Sequence, residues 1–299
     1  MSPPAPPTLL LTLLTAALTC TSTILPAHET NPKMPIEYAI QKNIFYLPQQ
    51  ETEASAYQRE RCRLDIYYPK DRPGFTTLIW LHGGGFWTGD REIDPYLTDL
   101  FPLLKQEGIA LVSIDYRLIP KAKCPAYIED GAAGVAWTFK NIERFGGDPN
   151  KIILLGGSAG AYLASLITLD KKWLNKHDVD PDQLLGLIPL SGHTITHLTV
   201  RKEQGIPKEQ PLIDQYAPLY HVRGDAPPML LITGDRELEM LGRYEENAYF
   251  ARMLEVVGHN NVTLHEYKGY NHGNIHKAAT APIMKWIKDL LAEEGTTTK

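Results

Sequence analysis

The sequence predicts an α/β fold: a mostly parallel, twisted sheet of eight strands, with helices on both faces and a short cap. From residue 37 onward, short apolar runs alternate with amphipathic stretches, the pattern of a parallel sheet with covering helices. Several of the runs are continuous Leu, Ile and Val, which suits strands that are buried on both faces. The connection 193–228 is too long for an ordinary loop and is expected to fold as the cap.

The predicted elements follow one another without an internal repeat, so residues 36–299 are expected to form one catalytic domain. The predicted strands are residues 37–47, 61–68, 76–81, 110–114, 151–155, 185–190, 229–233 and 263–267. The predicted helices are residues 95–106, 128–145, 159–170, 244–257 and 275–292.

The bulk composition is that of an ordinary globular protein. Hydrophobic residues make up 43% and charged residues 22% of the 299 residues, enough to bury a full core. The net charge is −5, and Lys and Arg form no long run. A nucleic-acid partner is therefore not expected, because binding a phosphate backbone needs clustered positive charge.

Residues 1–35 differ from the rest and predict a signal segment followed by a polar linker. Residues 9–18 are apolar apart from Thr, and a Thr-, Ser- and Pro-containing stretch follows them. This run of about ten residues is shorter than the roughly 20 that span a bilayer, so no stable membrane span is expected. We expect a secreted or cell-envelope protein, and the alternative is an uncleaved tail on a cytoplasmic one.

Three cysteines are too few for a disulfide scaffold. Cys20 follows the apolar run and is a candidate for lipidation, although the Thr before it matches that signal poorly. The pairing of Cys62 with Cys124 stays open.

The motif Gly-Gly-Ser-Ala-Gly at residues 156–160 carries the first chemical signal. It lies between an apolar strand and an Ala- and Leu-rich helix, the strand–turn–helix context of a nucleophilic serine. In such a tight turn the residues two before and two after the serine approach neighbouring backbone, which leaves no room for a Cβ atom. We therefore predict that Ser158 is the nucleophile.

A glycine-rich loop, His-Gly-Gly-Gly-Phe-Trp at residues 82–87, follows the strand 76–81. Backbone N–H groups in such a loop can stabilise the oxyanion that forms during acyl transfer. We assign this role to Gly83 and Gly84, together with Ala159. The sequence here lacks the Gly-Lys-Ser/Thr ending and the Gly-x-Gly-x-x-Gly pattern of phosphate-binding loops.

A serine hydroxyl needs a base to accept its proton, and His272 is the predicted base. It stands in Gly-Tyr-Asn-His-Gly at residues 269–273, after the last strand and before the last helix. His276 is the nearest rival but falls inside the predicted helix. His272 and His276 have the spacing of a zinc pair without the Glu of His-Glu-x-x-His, so no metal and no other cofactor is expected.

An acid that orients the base should follow the strand 229–233. With a nucleophilic serine in a strand–turn–helix motif, the triad residues follow the chain order serine, acid, histidine. The segment reads Gly-Asp-Arg-Glu-Leu-Glu at residues 234–239. Asp235 and Glu237 are both candidates, and the residues alone do not choose between them.

The chain resembles the carboxylesterase branch of the α/β-hydrolases, near the hormone-sensitive lipase-like and feruloyl-esterase-like families. The resemblance covers roughly residues 61–285 and rests on five motifs, at residues 82–85, 115–118, 146–149, 156–160 and 269–273. In these families the acid stands three residues after the small residue that ends its strand, which favours Glu237 and leaves Asp235 open. The resemblance also matches Asp115, Arg117 and Asp148, which we interpret as ion pairs and loop caps.

The predicted function is hydrolysis of small carboxylic esters through an acyl-enzyme intermediate, and by analogy acetyl or feruloyl esters of polysaccharide. An arylformamidase-like amidase is the enzymatic alternative. A non-catalytic receptor or adhesion module on the same fold is the other, since fold does not imply function. No oligomeric state is predicted.

Overall fold

The computed structural model describes residues 1–4, 36–240 and 242–297. The chain divides into residues 1–34 and residues 35–299, and the described residues 1–4 contain no helix or strand. The predicted signal segment and Cys20 lie outside the described residues. In the described part of the chain, no helix is both long and apolar enough to cross a membrane.

The sheet has the eight predicted strands, and it is mostly parallel. They are β1 (Tyr38–Phe45), β2 (Arg63–Pro69), β3 (Phe75–Leu81), β4 (Ala110–Ile114), β5 (Gly147–Gly157), β6 (Gly186–Leu190), β7 (Met229–Gly234) and β8 (Val262–Tyr267). Their order across the sheet is β1-β2-β4-β3-β5-β6-β7-β8. Pairing is antiparallel where β2 meets β1 and β4, and parallel from β4 onward.

Nine α-helices occur in the described residues. They are α1 (Ala56–Arg61), α2 (Pro95–Thr98), α3 (Leu100–Glu107), α4 (Ala126–Asn141), α5 (Ala159–Leu169), α6 (Lys172–Asn175), α7 (Leu198–Glu203), α8 (Arg243–Val256) and α9 (Ile275–Thr297). The helices α1, α6 and α7 were not predicted. The first is a short helix that begins at a capping box, in which Ser55 and Gln58 exchange side-chain-to-backbone hydrogen bonds.

The predicted helix 95–106 is two helices with a break at Asp99. Pro102 lies in the first turn of α3, where a missing N–H costs nothing, but it could not continue a helix that began at residue 95. Proline chemistry therefore explains the break.

Two apolar layers, one on each face of the sheet, form the core. On β3, Leu78 and Trp80 pack in the layer beneath α3 and α9, and Ile79 and Leu81 pack in the layer beneath α4, α5 and α8. All four side chains are fully buried. Burial on both faces is the physical reason for the continuous apolar runs of the sequence.

The connection 193–228 contains α7 and a 3₁₀ turn, Pro218–His221. The Thr199 hydroxyl donates to the Gly85 carbonyl oxygen at 2.7 Å, which ties α7 to the glycine-rich loop. The Tyr162 hydroxyl of α5 donates to the Tyr216 carbonyl oxygen. These bonds fix the cap against the loop and against the helix that follows Ser158.

Cys62 and Cys124 are both free thiols, and Cys62 is buried. The open question of their pairing is thereby answered for this structure.

Candidate active site

Ser158 lies at the turn between β5 and α5 with φ 54° and ψ −113°, a strained conformation for a residue with a side chain. A Cβ atom at Gly156 would lie 2.2 Å from the Gly160 carbonyl oxygen, and one at Gly160 would lie 2.0 Å from the Leu81 carbonyl oxygen. Both contacts are too short for any side chain. The two glycines therefore let the turn close and present the Ser158 hydroxyl.

Gly157 precedes Ser158 in the same turn. A Cβ atom there would lie 2.6 Å from the ring of Trp80, which is fully buried in the core. The size of Trp80 is the physical reason for glycine at this position.

His272 lies in the loop between β8 and α9, with its Nε2 atom 2.9 Å from Ser158 Oγ. The Tyr96 hydroxyl donates to the His272 carbonyl oxygen at 3.0 Å and anchors this loop. The rival His276 lies in α9, where its ring packs 5.2 Å from the Tyr96 ring. The structure thus brings Ser158 and His272 together from positions 114 residues apart in the chain.

The expected placement of Glu237 against His272 is wrong. The carboxylate at the other ring nitrogen belongs to Glu239, whose Oε1 atom lies 2.5 Å from His272 Nδ1. Glu237 is exposed, and the other candidate, Asp235, accepts hydrogen bonds from the N–H groups of Glu237 and Gly269 at 3.0 Å each.

The turn after β7 explains this correction. The N–H groups of Leu238 and Glu239 both donate to the Asp235 carbonyl oxygen, at 2.9 and 2.7 Å, so the chain makes one helical turn here. In such a turn residues two positions apart point in different directions, so Glu237 is exposed while Glu239 is buried against His272. Counting from Gly234 by the family spacing missed this turn, whereas testing each acidic residue against helical spacing would have included Glu239.

Glu239 is a fully buried side chain with several hydrogen-bond donors. Its Oε2 atom accepts from the Ser191 hydroxyl at 2.5 Å, and Oε1 accepts from the Met240 N–H at 3.0 Å. Burial works to raise the pKa of Glu239, but the hydrogen bond and charge of His272, with these donors, lower the pKa to about 2. Glu239 is therefore an ionised carboxylate at neutral pH.

The glycine-rich loop runs directly beside Ser158. A Cβ atom at Gly83 would lie 3.3 Å from Ser158 Cβ, and Gly84 has φ +97°, which favours glycine. Ala159 begins α5, so its N–H group has no acceptor within that helix. The three residues assigned to the oxyanion hole are thus near Ser158 along the chain or in space.

A buried histidine supports this loop. His82 Nδ1 lies 2.8 Å from the Gly83 carbonyl oxygen, and its ring stacks on Tyr116 at 4.2 Å between centroids. Burial lowers the pKa of His82 to about 4. The ring is therefore neutral and donates its Nδ1 proton to the loop.

The motif residues interpreted as structural lie in ion pairs and a cap. Asp115 contacts Arg91 and Arg61. Arg117 forms a two-pronged pair with Asp130 at 2.6 and 2.7 Å. In a separate turn, Asp148 accepts the Asn150 N–H at 2.9 Å.

Metal ligation has no obvious location in the described part of the chain, where no group of three or more His, Cys, Asp or Glu side chains is arranged to hold an ion. His193, which shares zinc-pair spacing with His197, instead lies 3.0 Å from the Glu246 carboxylate. His197 Nδ1 accepts the Thr199 N–H at 3.1 Å.

Two known protein families match parts of this chain. The prolyl oligopeptidase family matches residues 128–294, which is more than half of the chain and contains Ser158, Glu239 and His272. The chain belongs to the prolyl oligopeptidase family. A second family, BD-FAE, matches residues 64–183, which include the glycine-rich loop and the serine turn.

Individual relatives of this prolyl oligopeptidase family member include esterases. Esterase LipC of Mycobacterium tuberculosis is 29% identical over 230 residues, which are 70% of this chain and 56% of LipC. The aligned chain therefore spans little more than half of that relative.

Two solved esterase structures share the fold. A truncated carbohydrate esterase from gut microbiota has a TM-score of 0.68 at 17% identity, covering 86% of this chain and 97% of that one. Esterase B from Lactobacillus rhamnosis has a TM-score of 0.68 at 19% identity, covering 89% and 90%. These two structures confirm the α/β-hydrolase fold, and the family matches together with the LipC match confirm the resemblance to carboxylesterases.

Proposed function

We propose that this protein is a serine hydrolase that cleaves small carboxylic esters through an acyl-enzyme intermediate. The observation that carries the proposal is the continuous chain from Ser158 Oγ to His272 Nε2, at 2.9 Å, and from His272 Nδ1 to Glu239 Oε1, at 2.5 Å. This chain lets the serine lose its proton as it attacks. The esterase relatives support the same reaction class.

In the first step Ser158 Oγ forms a bond to the ester carbonyl carbon while its proton moves to His272 Nε2. The carbonyl oxygen becomes an oxyanion, which the N–H groups of Gly83, Gly84 and Ala159 stabilise more strongly than the neutral ester. The bond to the alcohol oxygen then breaks, and His272 returns the proton to that oxygen. Ser158 is left acylated.

In the second step water attacks the acyl carbon and gives its proton to His272. The bond to Ser158 Oγ breaks, the serine recovers the proton, and the carboxylic acid leaves. Throughout, Glu239 holds the proton of His272 on Nδ1 and stabilises the positive ring that forms transiently.

The test is Ser158→Ala, which removes the nucleophile without adding bulk to the turn. We expect turnover of p-nitrophenyl acetate to fall roughly 10⁶-fold, or below detection, with the melting temperature little changed. A fluorophosphonate should label the wild type at residue 158 and leave the variant unlabelled. Ser165→Ala is the matched control, because the Ser165 hydroxyl donates to the Ala161 carbonyl oxygen within α5. A folded Ser158→Ala variant with undiminished turnover would refute the proposal.

The proposed substrates are acetyl or feruloyl esters of polysaccharide. Trp87, on the glycine-rich loop, is 47% exposed, and the Lys202 ammonium of α7 lies 5.0 Å from its ring. An exposed aromatic ring offers a flat apolar surface on which the alcohol part of an ester can pack. Trp87→Ala should therefore raise KM for acetylated xylan and leave that for p-nitrophenyl acetate unchanged. Equal effects on both substrates would argue against a polysaccharide.

A cavity of about 520 Å³ lies between the cap and α8, and we propose it as a candidate site for an apolar part of the substrate. Its apolar lining includes Ile195, Leu198, Leu219 and Met240, and the Met240 N–H also donates to Glu239. Met240 follows Glu239 in the chain, so one wall of the cavity adjoins the acid, while Ser158 and His272 are not among its lining residues. A series of p-nitrophenyl acyl esters of increasing length would show which acyl groups are accepted.

Amide hydrolysis is the second candidate, and the match to the prolyl oligopeptidase family favours it. Hydrolysis of an amide would use the same nucleophile, base and oxyanion hole. The leaving group is then an amine, which leaves less readily than an alcohol and needs the proton from His272. The ratio of kcat/KM for p-nitrophenyl acetate and p-nitroacetanilide separates the two. A ratio far above that of the uncatalysed reactions would identify an esterase.

We propose that the protein is exported to the medium or the cell envelope, on the evidence of the apolar run at residues 9–18. Expression in its native host followed by mass measurement tests this. A mature chain that has lost the apolar run supports export, and a full-length chain in the cytoplasm would contradict it.

A further inference from the structure

Ser191 has an unusual backbone conformation directly behind Glu239. It follows β6, is fully buried, and has φ +56°, in the left-handed region that favours glycine. Its hydroxyl donates to Glu239 Oε2 at 2.5 Å, and its N–H donates to the Ile232 carbonyl oxygen of β7 at 2.7 Å. A serine kept at a strained position, with its hydroxyl on a buried carboxylate, calls for a functional explanation.

A fully buried arginine holds this conformation. Arg243, the first residue of α8, is 1% exposed, and its Nη1 atom donates to the Ser191 carbonyl oxygen. One turn later, the Asn247 side-chain amide donates to the Gly192 carbonyl oxygen at 2.9 Å. The start of α8 thus binds two successive carbonyl groups and fixes the chain on either side of the Ser191 hydroxyl.

Burial lowers the pKa of Arg243, and the charges of the Glu246 and Glu239 carboxylates act in the opposite direction. A buried guanidinium loses its hydration, and apolar residues of similar volume often replace buried charges without loss of stability. The Arg243 side chain reaches a backbone carbonyl, and its Nη2 atom lies 3.7 Å from Met240 Sδ. Both partners belong to segments that bond Glu239, since the Ser191 hydroxyl and the Met240 N–H donate to its two oxygens.

We propose that Ser191 and Arg243 are positioning residues that hold Glu239 in the orientation needed to act on His272. Arg243 fixes the Ser191 backbone, and the Ser191 hydroxyl occupies Oε2. Oε1 is then directed at His272 Nδ1. The inference rests on the proposed function, and it assigns a role to two residues that do not touch the substrate.

The test is a double-mutant cycle between Ser191→Gly and Glu239→Gln. Glycine accepts the positive φ of position 191 and removes the hydroxymethyl side chain, including the hydroxyl that donates to Glu239. We expect Ser191→Gly to lower kcat for p-nitrophenyl acetate about 10-fold or more, from a lost hydrogen bond to a charged group, with KM within about twofold. In the Glu239→Gln background the same change should lower kcat by less than about twofold, because its effect passes through Glu239.

A second pair of variants tests Arg243. Arg243→Met should lower kcat in the presence of Ser191 and have little further effect in Ser191→Gly. Arg243→Lys, which keeps a donor, should restore part of the loss. Rates of fluorophosphonate labelling, corrected for the folded fraction from thermal melts, separate this effect from misfolding. The matched control is again Ser165→Ala, which should leave the labelling rate unchanged.

Different results would overturn the proposed function and the positioning role of Ser191 and Arg243. Retained turnover in Ser158→Ala overturns the proposed function and this inference with it. Additive losses in the cycle, or full kcat in Ser191→Gly, overturn only the positioning role of Ser191 and Arg243.

Discussion

At the residue scale, the His272 ring connects the Ser158 hydroxyl to the buried Glu239 carboxylate. His272 is a quarter exposed, while the Glu239 side chain behind it has no exposed surface. The acid is therefore shielded from water, and its attraction for a protonated ring is stronger than it would be at the surface. This difference in burial lets Ser158 meet the substrate while buried hydrogen bonds hold Glu239 in place.

Replacing the carboxylate should show which acidic residue acts. Glu239→Gln should lower kcat about 10⁴-fold, because a triad acid fixes the tautomer of the histidine. Glu237→Gln is the matched control, two positions away and exposed, and should change kcat less than about twofold. Asp235→Asn should act mainly on the melting temperature, since Asp235 accepts hydrogen bonds within the turn. A severe loss of kcat in Glu237→Gln would reverse the assignment made from the structure.

Stability at acidic pH should carry the signature of Glu239. Its pKa is about 2, below the ordinary value of 4.5, so the folded state favours the ionised form. The resulting stability is present above pH about 4.5 and is lost as the pH falls toward about 2. Thermal melts across this window should therefore fall less steeply for Glu239→Gln than for the wild type. Parallel curves would show that Glu239 has an ordinary pKa.

At the scale of elements, the site depends on how closely two turns approach. The glycine-rich loop follows β3 and the serine turn follows β5, and these strands are neighbours in the sheet. Gly160 lies against the carbonyl groups of Leu81 and His82, so the start of α5 touches the end of β3. The distance between the nucleophile and the oxyanion donors is set by this contact.

Gly160→Ala should disturb both stability and rate. The new Cβ atom would lie 2.0 Å from one backbone oxygen and 2.5 Å from another, so β3 or α5 must move. Overpacking of this kind costs about 1–3 kcal/mol in the free energy of unfolding. We expect a lower melting temperature together with a lower kcat. Gly295→Ala in α9 is the control, because nothing lies within 4 Å of its added Cβ atom.

The cap helix α7 should influence the rate through the same loop. Thr199→Val keeps the shape of the side chain but removes the hydroxyl that donates to the Gly85 carbonyl oxygen. The glycine-rich loop then loses its hydrogen bond to α7, so kcat/KM should fall several-fold while the fold is kept. An unchanged kcat/KM would show that α7 only covers the loop.

At the scale of the whole molecule, the strand order assembles the site. The glycine-rich loop, Ser158, Glu239 and His272 follow β3, β5, β7 and β8, which lie within one parallel run. The carboxyl ends of parallel strands share one edge of a sheet, where ligands of such folds bind. Residues separated by more than a hundred positions in the chain therefore meet at a single edge of the sheet.

A metal chelator tests whether these protein groups suffice. Each charge that develops in the proposed reaction has a side chain or N–H group to stabilise it, so EDTA should leave kcat unchanged. Loss of activity that zinc restores would require a different mechanism.

Features that depend on local chemistry could be predicted from the sequence. Continuous apolar runs indicated the central strands, because a strand buried on both faces needs apolar residues throughout, whereas the edge strands β1 and β8 are partly exposed. Ser158 and His272 were identified by the glycine residues around them, because a tight turn requires glycine where a Cβ atom would not fit or where φ is positive. The break at Asp99 and the short helix α1 were missed, since they depend on single proline and capping contacts.

Only the tertiary structure decided which carboxylate meets His272. Asp235, Glu237 and Glu239 are close in the chain and similar in chemistry, and contacts with Ser191 and His272, which are distant in the chain, distinguish Glu239 from the other two. Ser191 and Arg243 left no sequence signal at all, because their contacts join the ends of β6, β7 and α8. The sequence by itself determined the strands, the nucleophile turn and the base loop, since each requires particular residue types at particular positions along the chain. The acid and its support were decided by packing between distant segments, where position in space and not residue type selects the partner.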